Sequence, residues 1–305
     1  MSDLLTVTDL RVDYHGARAV HDVSFTLRRG EVFGLVGESG SGKSSVCAAL
    51  TRVLPVGGTM AAAALRLGEV ELTALGDEEM RLLRATRIGL IPQRPMTSLS
   101  PVTPVLRQLG WHAPGADLTE LLGQVGLQAV LDRPRDYPHR FSGGQLQRLL
   151  ILLAALAKEP DLLIADEPTT TLDPTVQAQV LRLLLELRDR LGLAILYVTH
   201  DLAVVAQVCD RVGVMYGGRL VETGTIDQIF SAPRHPYTQA LLASLPGRAV
   251  PGTRLGALPV GPLAQRGCPF APRCPVVMTR CADEEPPLVT QAANTVRCHH
   301  VKDAP

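Results

Sequence analysis

At 305 residues the chain is longer than one ordinary domain and shorter than three, so its length predicts one large domain with an appendage. Lysine plus arginine and aspartate plus glutamate number 30 each, which leaves no net field to hold a polyanion and excludes nucleic acid as the default partner. Apolar residues at 46% and charged residues at 20% supply material for a core and exclude global disorder.

The first fourteen residues lack a basic stretch followed by an apolar core and a small-residue cleavage site, so no secretory signal is expected. The longest strictly apolar run, 149–157, lies between Arg148 and Lys158 and falls well below the roughly twenty residues of a bilayer span. A cytosolic chain is the expectation. Residues 4–36 alternate apolar and polar positions around a turn at Arg28, Arg29 and Gly30, and read as strands of an antiparallel sheet ending at Val36. A glycine-rich loop, 37–42, follows. From Ser44 the spacing of Val46, Ala49, Leu50 and Val53 is helical, giving a strand, a loop and a helix in order.

Residues 77–86 predict a short helix and 88–91 a buried strand. The stretch 94–141, broken by proline and glycine, predicts a small helical insertion, after which a long helix starts at Ser142. Residues 162–165 predict a buried strand, Asp173 and Pro174 the N-cap and first position of a crossover helix, and 194–198 another strand. The pattern is α/β with a parallel sheet. Near residue 231 the composition changes to proline, glycine and cysteine, with 233–246 as the last helical segment, and a domain boundary is expected there.

Gly37, Glu38, Ser39, Gly40, Ser41, Gly42, Lys43 and Ser44 fit the pattern G-x-x-x-x-G-K-[ST]. In it glycines let backbone N–H groups face phosphate oxygens, the lysine neutralises the β and γ phosphates, and the hydroxyl binds Mg²⁺. The helix that follows directs its positive end at the same anion. Only Lys43, Lys158 and Lys302 are lysines, against 27 arginines, so a lysine at this position has a specific reason.

Asp166 and Glu167 end an apolar strand, which suits one metal carboxylate and one water activator. Asp166 would hold Mg²⁺ through its water shell and Glu167 would orient or deprotonate the attacking water. Adjacent acids at a strand end also occur as a solvated turn. Gln93 and His200 each follow a strand, where open α/β sheets bind ligands. Each is readily structural alone; with the loop and the acids they suit γ-phosphate and water contacts. Ser142, Gly143, Gly144 and Gln145 open a helix, a second anion-ready N-terminus that an ordinary N-cap explains equally well.

In these residues the chain resembles the ATP-binding subunits of ABC transporters, and within them the peptide and nickel importers called the Opp/Dpp family. Residues 37–44, with Ser45 beside them, match Walker A, Gln93 the Q-loop, Phe141 to Gln145 the signature, 162–167 Walker B, Thr171, Leu172 and Asp173 the D-loop, and His200 the switch histidine. Tyr14 is similar to the aromatic A-loop residue that stacks on adenine; an edge-strand tyrosine is its other reading. Residues 95–99, 175–179 and 233–239 resemble the importer group in particular. Arg94 and Ser100 stand where that group has Asp and Asn, Leu146 replaces a polar residue, and the stretch before the signature is short.

The resemblance implies a P-loop NTPase: a RecA-like core with an antiparallel β subdomain and a helical subdomain, about 94–158, within 1–230, then a cysteine-rich region over 231–305. It implies ATP and Mg²⁺, the metal at Ser44, Gln93 and Asp166, with Glu167, His200 and Gln93 as the catalytic set. The partners implied are an identical or homologous ATP-binding subunit in a head-to-tail dimer, two transmembrane permease subunits and, indirectly, an extracytoplasmic solute-binding protein. The signature of one subunit would close on the nucleotide of the other, at the cytoplasmic face of the membrane, to power uptake of peptides or a related solute. Competing readings are a soluble ABC ATPase acting on nucleic acid or ribosomes and a regulatory ATPase gated by a metal cluster.

Cys268, Cys274, Cys281 and Cys298 fall in a proline-rich segment poor in apolar residues, which needs a staple to fold. The spacings lack C-x-x-C knuckles, so four thiolates on one metal centre is the reading from the residues, without the metal's identity. The resemblance implies a [4Fe–4S] cluster, with Zn²⁺ or unoccupied or oxidised thiols as alternatives. His299 and His300 are possible substitute ligands or a surface tail. Cys47 and Cys209 read as small packed hydrophobes.

Overall fold

A computed structural model describes residues 3–156, 160–170, 172–245, 261–291 and 294–302. The chain opens with β1 (Asp3–Tyr14) and β2 (Ala17–Arg28), a hairpin turning on His15 and Gly16, both at positive φ (49° and 82°), the backbone that matches the right-handed twist of paired strands. Then come β3 (Val32–Val36), α1 (Lys43–Leu50), β4 (Gly58–Ala61), β5 (Ala64–Leu67), β6 (Val70–Glu71), α2 (Asp77–Thr86) and β7 (Ile88–Ile91). Three short helices, α3 (Pro95–Ser98), α4 (Val105–His112) and α5 (Leu118–Gln124), fill the expected insertion, and α6 (Gly143–Ile151) follows. The later elements are β8 (Leu162–Asp166), α7 (Pro174–Leu191), β9 (Ala194–Thr199), α8 (Leu202–Val208), β10 (Arg211–Tyr216), β11 (Arg219–Thr225), α9 (Ile226–Ser231) and α10 (Pro236–Ala243). A hairpin, β12 (Leu288–Gln291) and β13 (Asn294–Arg297), and α11 (His299–Lys302) close the described chain.

The chain divides into two compact units. The carboxylate unit holds residues up to 5, 27–31 and 66–198; the loop unit holds 6–26, 32–65 and 199 onward. In the carboxylate unit β7, β8 and β9 are parallel neighbours, with Ile88 opposite Leu162 and Leu162 opposite Ala194. The α7 helix starts as its sequence dictates: Asp173 Oδ1 accepts from the N–H groups of Thr175 (3.1 Å) and Val176 (3.0 Å), and Pro174 sits where no N–H is needed. It stops at Gly192, at φ 65°. The helix expected at Ser142 is α6, and its last turn widens to a π-helix over Leu152–Leu156. Leu146 is fully buried, so its setting calls for an apolar side chain. Ser100 lies in a turn held by buried Gln108, which accepts from Ser100 N–H (2.7 Å) and donates to Thr103 O (2.8 Å).

In the loop unit β3 corrects the sequence reading. It does not extend the antiparallel hairpin but pairs in parallel with β10, from Phe33 opposite Arg211 to Val36 opposite Val214. All five of its residues are buried, as a strand covered on both faces requires. The β10–β11 hairpin is antiparallel, β13 pairs with β11 at Glu222 and Thr223, and β12 pairs with β13. One apolar core joins Val36, Val205, Val214 and Tyr216 to Tyr237, Cys268, Phe270 and Cys281. The 268–281 segment therefore packs into the core of the strand that feeds the glycine loop. Cys47 is buried, and Cys209 lies over Gly34 with its thiol raised by burial, so both are packed hydrophobes as read. Among the described residues no helix is long and apolar enough to cross a membrane.

Candidate functional site

The loop between β3 and α1 is built on three glycines at positive φ: Gly37 (154°), Gly40 (80°) and Gly42 (100°). At Gly37 a Cβ would stand 2.2 Å from Met215 O, so only glycine lets the loop approach β10 this closely. Lys43 is buried, and its Nζ donates to Gly37 O (2.8 Å), Glu38 O (2.9 Å) and Ser41 Oγ (3.4 Å), which wraps the loop around the ammonium. Ser44 is exposed and Ser45 half-buried in the first turn of α1, whose leading N–H groups have no intrahelical acceptor. Ser39 and Gly40 are exposed. Loop, ammonium and helix start together form an anion cradle.

Beside Gly40 a cavity of about 510 Å³ opens between residues 17–21, the 217–219 turn and residues 263–269. Arg18, Arg219 and Arg266 line it against one acid, Glu285, so it leans positive, while burial and the neighbouring Arg219 and Arg18 lower the pKa of His21 and leave its ring neutral. Glu285 is itself taken by Arg219 (2.7 and 3.0 Å) and Arg297 (3.1 Å). The sequence reading did not single out these basic residues; they come together through the turn and the later chain. Tyr14 ends β1, half-buried, opposite Gly58 of β4, its ring edge against that glycine.

In the carboxylate unit Glu167 has φ 49°, a left-handed backbone that costs a non-glycine residue about 1–2 kcal/mol. Its N–H donates to Val198 O at 2.8 Å. Gln93 Nε2 (2.9 Å) and Thr170 Oγ1 (3.0 Å) both donate to its Oε2, so Gln93 and Glu167 are brought together 74 positions apart. Asp166 stands half-buried at the end of β8. In the same unit Ser142 caps α6 reciprocally: its Oγ accepts from Gln145 N–H (3.3 Å), and Gln145 Oε1 accepts from Ser142 N–H (2.9 Å). Ser142 and Gly143 stay exposed, while Gly144 is buried where a Cβ would meet Val176 at 2.3 Å, packing the start of α6 onto the helix that Asp173 caps. Thr171 lies outside the described residues. His200 is exposed in the loop unit, in the turn where Asp201 N–H donates to Thr199 Oγ1 (3.0 Å).

The four clustered cysteines line one small cavity of about 10 Å³, with His235, Phe270 and His299. Burial pushes the Cys268 thiol up to about 11 and raises Cys274 and Cys298, so all three are protonated at neutral pH. Burial also pulls His235 down to about 3, leaving a neutral ring whose Nδ1 accepts from Tyr237 N–H (3.0 Å). His299 is buried, its Nε2 3.0 Å from Glu284 O, which corrects its reading as part of a surface tail. Among the described residues no group of three or more His, Cys, Asp or Glu side chains is arranged to hold a metal ion.

Two family profiles match the chain: "ABC transporter" over residues 20–170 and "Oligopeptide/dipeptide transporter, C-terminal region" over 221–281. The dipeptide transport ATP-binding protein DppD of Escherichia coli is 42% identical over 302 residues, spanning 94% of this chain and 92% of that protein. The oligopeptide transport ATP-binding protein OppD of Salmonella typhimurium is 43% identical over 303 residues, spanning 93% and 90%. Among solved structures, cbiO1 of Clostridium perfringens, part of the ABC transporter complex cbiONQ, superposes with a TM-score of 0.64 at 28% identity, covering 76% of this chain and 92% of that one.

Proposed function

Because the chain belongs to the ABC transporter ATP-binding family, in its oligopeptide/dipeptide group, we propose that it is the ATP-hydrolysing subunit of an importer for dipeptides, oligopeptides or a related solute. The observation that carries this reading is the glycine loop wrapped around Lys43, an anion cradle at a helix start. In this reading the loop N–H groups and Lys43 bind the phosphates of ATP, Tyr14 takes the adenine, and Ser44, Asp166 and Gln93 hold Mg²⁺. Bound Mg²⁺ neutralises phosphate charge and aligns the triphosphate. Glu167 accepts a proton from the attacking water, oriented by the amide of Gln93, and His200 steadies the γ-phosphate. The positive lean of the cavity beside Gly40 suits the same polyanion.

Residues 1–230 form the nucleotide-binding domain in this proposal, with the helical subdomain over 94–158, and 231–305 the importer-type region. The exposed start of α6 at Ser142 and Gly143 serves a second ATP-binding subunit, identical or homologous, whose nucleotide it closes upon. Hydrolysis then removes the charge that bridges the pair, making nucleotide state a mechanical switch. Permease subunits anchor the dimer at the cytoplasmic face of the membrane, and a solute-binding protein delivers cargo from the other side. Equal numbers of acidic and basic residues, and the oligopeptide C-terminal match, weigh against a nucleic-acid ATPase. Deleting the gene is expected to abolish peptide uptake that the intact gene restores and an Lys43→Ala copy does not; uptake unchanged by deletion contradicts the transport role.

The four cysteines carry a second part of the proposal, a [4Fe–4S] cluster or, as the alternative, Zn²⁺. Its support is their convergence on one cavity; as placed they form no ligand shell. A bound centre would crosslink the segment and draw the thiols into their thiolate forms. Protein purified without oxygen is expected to be brown and to hold about four irons per chain; colourless protein without iron or zinc rejects the centre.

A further inference from the structure

Glu38 occupies a position that the loop pattern leaves open to any residue. Here both its carboxylate oxygens are taken by Arg273: Nη2 donates to Oε1 at 2.7 Å and Nη1 to Oε2 at 3.0 Å. Arg273 lies 235 positions away in the cysteine-rich segment, next to Cys274, with a side chain only 8% exposed. Its Nη1 also donates to Tyr216 Oη at 3.0 Å, and its guanidinium lies over the rings of Tyr216 and Phe270, 5.4 and 5.7 Å from their centres. A planar fork packed between rings is a fixed donor, unlike a solvated surface cation.

The backbone of Glu38 is held as firmly. Its N–H donates to Tyr237 Oη at 3.0 Å, and its carbonyl accepts from Lys43 Nζ at 2.9 Å. Tyr237 is fully buried against Tyr216 (4.6 Å between ring centres) and Phe270 (5.5 Å). This gives a task to the 233–239 segment, whose Tyr237 reaches back to the glycine loop. The residue whose carbonyl steadies Lys43 is thus pinned at its side chain and at its N–H by the chain beyond residue 231.

We infer that Arg273 is a positioning residue for nucleotide binding: by locking Glu38 it sets the loop conformation that presents Lys43, so the cysteine-rich segment tunes the affinity of the loop for ATP. The inference rests on the nucleotide reading of the loop. Without the guanidinium, the Glu38 carboxylate is left uncompensated beside the phosphates and the loop loses an anchor. The chemistry at Glu167 does not involve this contact, so the effect falls on binding rather than turnover.

The test uses the full chain with Arg273→Gln, Glu38→Gln and both together, reading the dissociation constant for ATP and the KM and kcat of hydrolysis. R273Q is expected to weaken ATP binding and raise KM about five- to twentyfold with kcat within about twofold, while the same change in an E38Q background shifts affinity less than about twofold. Arg273→Lys, which keeps the charge and the packed stem, recovers part of the loss and stands in should R273Q fold poorly. Unchanged affinity in R273Q, an equal loss in both backgrounds, or a fall in kcat alone overturns the inference. Failure of the unaltered chain to bind ATP would instead overturn the nucleotide reading.

Discussion

Glu167→Gln is expected to bind ATP within about twofold of the unaltered protein while hydrolysing it about 10²- to 10⁴-fold more slowly, the span a positioned general base contributes. Glutamine matches glutamate in size, and its carbonyl oxygen can accept from Gln93 Nε2 and Thr170 Oγ1 as the carboxylate Oε2 does at 2.9 and 3.0 Å. The left-handed backbone at φ 49° is no harder for glutamine than for glutamate. What disappears is the negative charge that, in the proposed reaction, would receive the proton of the attacking water. With cleavage blocked and binding kept, the proposed ATP-bound pairs of subunits are expected to accumulate. Phosphate release and equilibrium nucleotide binding measured on one preparation separate the two effects, and turnover at the unaltered rate would remove Glu167 from its role as water activator.

Lys43→Ala is expected to weaken ATP binding about 10- to 100-fold, the equivalent of losing a charge-assisted hydrogen bond of about 1.5–3 kcal/mol. Two losses combine. The ammonium no longer meets the phosphates, and the carbonyls of Gly37 and Glu38, which it draws together at 2.8 and 2.9 Å, lose the cation that shapes the loop. A melting curve close to that of the unaltered protein separates this from unfolding. Unchanged affinity would contradict the phosphate-binding role of the loop.

The parts of the site legible in the sequence are those written in short-range code. Glycines at 37, 40 and 42 followed by Lys43 announce a loop of left-handed backbone, and Ser142 with Gln145, like Asp173 with Pro174, announces a helix start from neighbouring residues alone. The strand 162–165 is plain because burial on both faces demands an unbroken apolar run; 88–91 is plain from its apolar residues alone, although Leu90 is exposed. The β10–β11 hairpin is marked locally as well: Gly217 and Gly218, at φ 54° and 77°, are the signal of its tight turn.

Pairing across long stretches of chain has no such local mark. Nothing near Val296 states that it lies opposite Glu222, and nothing near Arg273 states that it grips Glu38. The two-sided setting of β3 was likewise hidden, because its antiparallel predecessors share its apolar content while its own parallel partner, β10, comes about 180 residues later. The basic cavity beside Gly40 escaped for the same reason, since Arg18, Arg219 and Arg266 meet only in the folded chain.

In the proposed mechanism this chain binds ATP on the glycine loop and cleaves it with Glu167. Steady-state phosphate release by the purified subunit, with its partner subunits, measured with and without Mg²⁺, tests it most directly. Hydrolysis is expected to require Mg²⁺, to fall about 10²- to 10⁴-fold in Glu167→Gln and, at ATP below saturation, about 10- to 100-fold in Lys43→Ala; no phosphate release at all, or release at the unaltered rate in both variants, overturns the ATPase reading of the loop and Glu167.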